Sequence, residues 1–182
     1  MFGFALRKGI NYMTETEMQL KLGKHFGIKN ICIPNVLMIG EYRKEMLPEI
    51  KKLEAWQKPS KMYEADIVYI TKSDYLVEVE IKVDINDFRN DFKKKIYHSS
   101  PLVSSLYYAF PEELYKKYGD EIRERVKGIA GIITVSYDCK IRVKAPKRKE
   151  VLPLTDIQIK DFMRIGCMKW FKECVFNWTK KS

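Results

Sequence analysis

The stretch Leu76-Val77-Glu78-Val79-Glu80-Ile81-Lys82-Val83 alternates apolar and charged residues without a break. A period of two belongs to a β-strand, whose successive side chains leave opposite faces. Val77, Val79, Ile81 and Val83 therefore share one face, and Glu78, Glu80 and Lys82 share the other. A strand over residues 64–71 precedes it across the short Lys72-Ser73-Asp74 turn, so the two are expected as an antiparallel hairpin. On that earlier strand Glu64 and Asp66 are expected to open a face that Val68 and Ile70 continue. A solvated face with cross-strand charge pairs, each contributing at most about 1 kcal/mol, accounts for such a hairpin without any function. The alternative is a site, because Asp beside Glu and Lys gathers carboxylates that repel unless a cation lies between them.

The rest of the chain supplies the elements that would surround this hairpin. Thr14 with Glu17 three residues on is a capping box, and Met18, Leu22 and Phe26 recur at helical spacing, so residues 14–26 should be helical. Residues 30–39 read as a strand in which Pro34 signals an edge or a bulge. Residues 41–62 carry only the hint of a short helix, from Met46, Leu47, Ile50 and Leu53. After the hairpin, Phe88, Phe92 and Ile96 fall four apart and predict a helix over 86–97. A strand over 104–110 follows, then another helix or pair of short helices opened by Pro111-Glu112-Glu113 and ending near Gly128. A second hairpin turns at Asp138-Cys139, a basic loop covers 144–149, and a last helix runs over 155–176. This order predicts one α/β domain over residues 1–182, a mixed central sheet flanked by helices, with a core of about 14–110 and a C-terminal hairpin and helix over about 111–182.

Composition narrows the function classes. Hydrophobic residues make up 46% and charged residues 32%, which suits a folded globular chain. No apolar run approaches the roughly 20 residues that cross a bilayer, and the four cysteines form neither a CxxC pair nor a zinc-spaced cluster, so a cytoplasmic protein with reduced thiols is expected. Lys and Arg outnumber Asp and Glu by 34 to 24, a net charge of +10 that favours polyanions and, among them, nucleic acid.

Hard divalent cations take oxygen ligands, commonly one or two carboxylates completed by water and substrate phosphate, so Asp66 and Glu80 suffice as the protein's share. A cation there polarises a phosphate and acidifies water, with Lys82 at hand to orient that water or to meet developing charge. The reaction class is phosphodiester hydrolysis.

These residues resemble the PD-(D/E)XK nuclease superfamily, with its restriction-endonuclease-like core. The resemblance rests on Asp66 in Tyr63-Glu64-Ala65-Asp66, followed one hairpin later by Glu80-Ile81-Lys82. It covers the element order of about residues 14–110. Within it, Val79-Glu80-Ile81-Lys82, Asp87-Phe88-Arg89-Asn90-Asp91 and Tyr107-Tyr108-Ala109-Phe110-Pro111 resemble the MmcB-like branch associated with DNA repair. Position 65 departs from the family pattern in being Ala and not Pro. The resemblance implies a Mg²⁺- or Mn²⁺-dependent nuclease acting on DNA in repair, recombination or restriction. It gives Asp66 and Glu80 to the metal, the Ile81 carbonyl to the same metal, and Lys82 to the attacking water. Many members also carry a Glu on the first helix, for which Glu17 is the better and Glu15 the lesser candidate, with the capping box as the competing role of Glu17. The alternatives are a non-catalytic nucleic-acid-binding module of the same fold, or a nuclease acting on RNA.

Around this centre, Arg89, Lys93, Lys94, Lys95 and His98 follow the second strand of the hairpin and are the expected nucleic-acid contacts, against a plain solvated helix face or, for His98, a helix C-terminal role. Asp87 is expected at the helix start and Asp91 paired with Lys95. Glu64 and Glu78 share faces with the ligands and are the lesser additions to the metal site. Tyr107, Tyr108, Trp170, Phe171, Phe176 and Trp178 read as core, and the broad apolar surface of the last helix is expected to pack on the sheet or to form a homodimer contact.

Overall fold

In the computed structural model, residues 13–42, 47–93 and 98–179 are described, with side chains of the last helix described as far as Lys172. The fold is α/β: one six-stranded mixed sheet with helices on both faces and a long C-terminal helix. The elements are α1 (Glu15–Gly27), β1 (Ile31–Ile39), α2 (Leu47–Ile50), β2 (Met62–Ile70), β3 (Leu76–Ile81), α3 (Ile85–Asp91), β4 (Val103–Pro111), α4 (Glu112–Val126), β5 (Gly131–Val135), β6 (Cys139–Val143) and α5 (Asp156–Thr179). The strands lie in chain order, β1-β2-β3-β4-β5-β6. Only β3–β4 and β4–β5 are parallel, and their crossovers carry α3 and α4.

Local signals explain most of these elements. Thr14 caps α1 and Glu17 reaches back to the Thr14 backbone, completing the capping box. Pro34 lies on β1, the edge strand, where a missing N–H is tolerated. The β2–β3 turn places Asp74 at φ 61, in the left-handed region that Asp enters more readily than most residues. The hint of helix in the 41–62 segment reduces to the four residues of α2 and a 3₁₀ turn at Ala55–Gln57; Met46 lies outside the described residues.

Three apolar clusters hold the layers. Met18, Leu22 and Phe26 of α1 pack on Ile67, Tyr69, Val77, Val79, Ile81, Ile133 and Val135, covering one face of the sheet. The other face is divided. Leu154 and Phe162 cover Ile33, Val36, Val68 and Ile70, while Phe88, Leu114, Ile122 and Val126 cover Leu106, Tyr108, Phe110 and Ile132. The C-terminal segment is thus no appendage: β5 and β6 extend the same sheet, and α5 packs against β1 where Gly166 meets Ile33.

Three expectations are corrected. Val68 and Ile70 share their cluster with Tyr63 and Ala65, not a face with Glu64 and Asp66. The alternation shifts by one residue where Asn35 of β1, at φ 52, stands opposite Asp66. Helix α3 ends at Asp91, short of the predicted 97; residues 94–97, and Ile96 with them, lie outside the described residues. Helix α4, two helical stretches joined at a kink at Tyr118 (φ −124, ψ 16), agrees with the helix or pair of short helices expected there. Among the aromatic residues assigned to the core, Tyr108 is buried and Tyr107 half-buried, whereas Trp170 and Phe171 are exposed because α5 outruns the sheet it packs on. The side chains of Phe176 and Trp178 are outside the described set.

One position tests this packing directly. A Cβ on Gly131 would lie 2.6 Å from the Ala145 backbone nitrogen and would press on the Tyr107 ring, so the 144–146 segment can cross β5 closely only because residue 131 is Gly. Gly131→Ala is expected to lower stability by about 1–3 kcal/mol through overpacking, read by urea unfolding; an unchanged midpoint would refute the close approach.

Candidate active site

Helix α3 starts only four residues after β3 ends, so the chain turns back over the charged face of the strand it has just left. Asp84 makes this turn: it caps α3 by accepting from the Asn86 and Asp87 amides, the role expected of Asp87. The cap frees Asp87 and Asp91, one turn apart, to face Lys82.

Lys82 is buried, and its ammonium lies 2.7 Å from Glu80 Oε1, 2.9 Å from Asp87 Oδ2 and 3.0 Å from Asp91 Oδ2. Burial alone would lower the Lys82 pKa, but Glu80, Asp87 and Asp91 outweigh it and hold the ammonium charged above its ordinary range. The network continues through His98, whose Nε2 is 3.5 Å from Asp91 Oδ2 and whose Nδ1 is 2.5 Å from Glu78 Oε1. Glu78 in turn accepts from the Tyr63 hydroxyl at 2.8 Å. Glu78, Glu80, Lys82, Asp91 and His98 are each at most 6% exposed, so the charged side of β3 is neither solvated nor merely polar surface.

Asp66 stands at the rim of this network. Its Oδ2 accepts from the Ile81 amide at 2.7 Å, which ties the end of β2 pairing to β3. Burial and the neighbouring Glu80 charge raise the Asp66 pKa to about 8, against the opposing pull of the Ile81 amide and Lys82. Glu15 contributes to the same rise, so it and not Glu17 is the α1 carboxylate electrostatically coupled to Asp66. Glu17 is exposed and spends its carboxylate on Thr14, which removes it from the site. Gln19, one turn beyond Glu15, donates to the Asp66 carbonyl at 2.9 Å.

The donor set suits a hard divalent cation. Glu80 raises the cost of ionising Asp66, both residues offer oxygen donors, and Asp66 is only half-buried, so it is open to a hydrated ion. Ile81 is placed between them in sequence, with its amide on Asp66. A second grouping, Glu78, Glu80 and His98, brings one ligand atom from each within 4.8 Å of the others. In that trio, however, His98 Nδ1 is engaged by Glu78 and Glu80 Oε1 by Lys82, so its donors already serve ion pairs.

The expected nucleic-acid contacts are dispersed. Arg89 donates Nε and Nη2 to Glu121 at 2.8 and 2.7 Å and Nη1 to Asn86 at 3.0 Å, bracing α3 against α4. Lys93 is exposed and donates to Asn90. Lys94 and Lys95 lie outside the described residues, and so does the expected Asp91–Lys95 pair. His98, expected to meet phosphate or end the helix, is buried at φ 56 between Glu78 and Asp91, out of reach of a phosphate. Glu64 is exposed, and Glu78 belongs to the His98 pair. Sequence reading missed Asp91 and His98 as partners of Lys82 and Glu78. The available signal was a pair of acids four apart on the helix that directly follows a buried Lys.

Comparison with family models, with curated proteins and with solved structures gives no match.

The His98 pair makes stability depend on pH. Burial disfavours the imidazolium, yet Glu78 and Asp91 prevail and raise the pKa to about 9, above the unfolded value of about 6.5. The folded state thus holds the proton more tightly, and this contribution is complete below about pH 6.5 and lost as pH rises through about 9. Urea unfolding between pH 6 and 9.5 should show falling stability, with a shallower slope in His98→Gln; equal slopes in the two chains would contradict the pairing.

Proposed function

We propose that this protein is a divalent-metal-dependent nuclease that hydrolyses phosphodiester bonds in DNA, of the PD-(D/E)XK type. The observation that carries the reading is the meeting of Asp66, Glu80 and Lys82 from two adjacent strands, with Asp66 at the solvent boundary and its pKa raised to about 8 beside Glu80. Asp66 and Glu80 would hold Mg²⁺ or Mn²⁺, with the Ile81 carbonyl as the third contribution that the family resemblance implies. A bound cation supplies Lewis-acid polarisation of a phosphoryl oxygen and an acidified water.

The residues themselves set limits on the mechanism. Lys82, held charged by its carboxylates, has no proton-accepting form near neutral pH; it donates hydrogen bonds and offsets negative charge. Its ammonium donates hydrogen bonds to Glu80 and Asp87, and Asp91 lies beside it as a charge partner at 3.0 Å. Turning the ammonium toward a phosphate or its attacking water draws it away from one of these partners. Asp87, whose side chain is 56% exposed while that of Asp91 is 0%, is the one that can swing into solvent.

The ion pairs of Lys82 and the burial of Glu80 also favour a second reading: a nucleic-acid-binding module in which the same network only fixes the fold. Catalysis separates them. Cleavage of linear, single-stranded and branched DNA, with RNA alongside, is expected in Mg²⁺ or Mn²⁺ for the native chain and is abolished by Asp66→Asn and Lys82→Ala. Asp87→Ala is expected to retain activity, while Asp91→Ala loses about 10²-fold in kcat through misplacement of Lys82. Mg²⁺ should raise the native melting temperature and leave that of Asp66→Asn unmoved. A native chain that cuts nothing with either metal would make the binding module the better account.

A cytoplasmic site of action and a homodimer formed through α5 belong to the same proposal. No helix among the described residues is long and apolar enough to cross a membrane, and Met163, Met168, Trp170 and Phe171 leave an apolar stretch of α5 exposed. Sedimentation velocity should return twice the chain mass, with Trp170→Glu returning one; a monomer in the native chain would remove the dimer.

A further inference from the structure

The six strands lie in chain order, so the loops divide between two ends of the sheet. The candidate site occupies the end where β3 finishes. At the opposite end, where β3, β4 and β5 begin, lie residues 28–30, 71–75, 127–130 and 144–155. These four segments contain six lysines and one arginine against two acids, Asp74 and Glu150.

The longest of the segments is fixed to the sheet. Arg148 donates to the carbonyls of His98 and Ser100 at 2.6 and 3.0 Å, its amide to the Ser104 carbonyl at 2.8 Å, and the Leu154 amide to the Asp74 carbonyl at 2.7 Å. Lys147 lies 4.9 Å from the centre of the Tyr75 ring. Arg148 is thereby a fastening for the loop, and its lysine neighbours are left facing outward.

We propose that this end of the sheet is a docking surface for the phosphate backbone of duplex nucleic acid, formed by Lys29, Lys72, Lys127, Lys144, Lys147 and Lys149. All six are exposed, and among the described residues none lies within ion-pair distance of a carboxylate, whereas Arg89 and Arg142, more evident cations, are spent on Glu121 and Glu112. Set along six strands about 4.8 Å apart, the lysines form a row of about 24 Å, the length of about seven base pairs at about 3.4 Å per step. A row of cations on pinned loops follows a linear polyanion. The far end of β3, about 17 Å away at about 3.3 Å per residue, keeps the docked backbone clear of the carboxylates of Asp66 and Glu80. The choice of nucleic acid as the polyanion rests on the nuclease reading; the surface itself does not.

The test is fluorescence anisotropy of a labelled duplex in EDTA, with NaCl varied. Substituting Lys144→Glu, Lys147→Glu and Lys149→Glu together should weaken binding by about tenfold or more at low salt. It should also reduce the slope of log K against log [salt] by about 2.7, since each neutralised phosphate contributes about 0.9. Arg89→Ala with Lys93→Ala should leave that slope within about one unit. Urea unfolding checks that the triple variant is folded, and Lys29→Glu with Lys127→Glu repeats the measurement on other loops if it is not.

Failure of the native chain to bind duplex overturns the proposal, as does an unchanged slope in the folded variants or a loss confined to Arg89→Ala with Lys93→Ala. Ile129 and Leu152 are exposed beside the lysines, so vesicles containing phosphatidylserine are run in parallel. Vesicle binding lost in the triple variant with duplex binding intact would assign the surface to lipid and overturn the proposal. Because binding is measured without metal, absence of cleavage with binding preserved removes only the nuclease reading.

Discussion

A buried ammonium among carboxylates is the interaction on which the centre of this molecule depends. Lys82 leaves β3 beside Ala109 of β4, whose carbonyl accepts from the Lys82 amide, and its side chain gathers Glu80 of its own strand with Asp87 and Asp91 of α3. Removing the ammonium from such a set leaves buried carboxylates uncompensated, which costs about 3–5 kcal/mol, whereas the whole set contributes little net stability compared with an apolar replacement. Its consequence is therefore one of arrangement: α3 can sit on the sheet only at the height and rotation that carry both aspartates to Nζ.

That constraint explains why one face of the sheet holds two apolar clusters and not one. Between the cluster under α5 and the cluster under α3 and α4 runs the polar strip Tyr63, Glu78, His98 and Asp91. Tyr63 belongs at once to the α5 cluster and to this strip, with its ring in the core and its hydroxyl on Glu78. Tyr108 bridges from the other side, packed in the α3 cluster with its ring 5.5 Å from that of His98. The strip is buried from end to end, so every group in it must find a partner in the protein, and β3 tolerates Glu78 beside His98 and Glu80 beside Lys82.

The elements were largely legible in the sequence because their signals are local. The capping box at Thr14, the period of two in β3 and the proline on β1 each act within a few residues, and each marks the element it should. The meeting of Asp66, Glu80 and Lys82 was legible too, since a hairpin of known turn sets which residues stand side by side. What the period could not reveal was burial. The same alternation describes a solvated face and one roofed by α3, and the roof depends on Asp84 ending the strand and redirecting the chain. The roles of Glu17 and Glu15 were exchanged for a similar reason: a helix places both near its start, and only the docking angle of α1 decides which one approaches Asp66. The face switch on β2, opposite the left-handed Asn35 of β1, has no sequence period of its own.

Asp66 is where this arrangement meets solvent, and its chemistry follows from the charges behind it. With Glu80 close and water partly excluded, the carboxylate is relieved in either of two ways: by a proton, which it holds up to about pH 8, or by a cation. These compete for the same oxygen atoms. Binding of a divalent ion at neutral pH would accordingly release a proton from Asp66, and affinity would rise with pH until that proton is gone. Lys82 opposes the rise in the Asp66 pKa but is outweighed, its ammonium being engaged with Glu80, Asp87 and Asp91. The buried ion pairs therefore shape the site by occupying Lys82, leaving Asp66 short of positive charge at the solvent boundary.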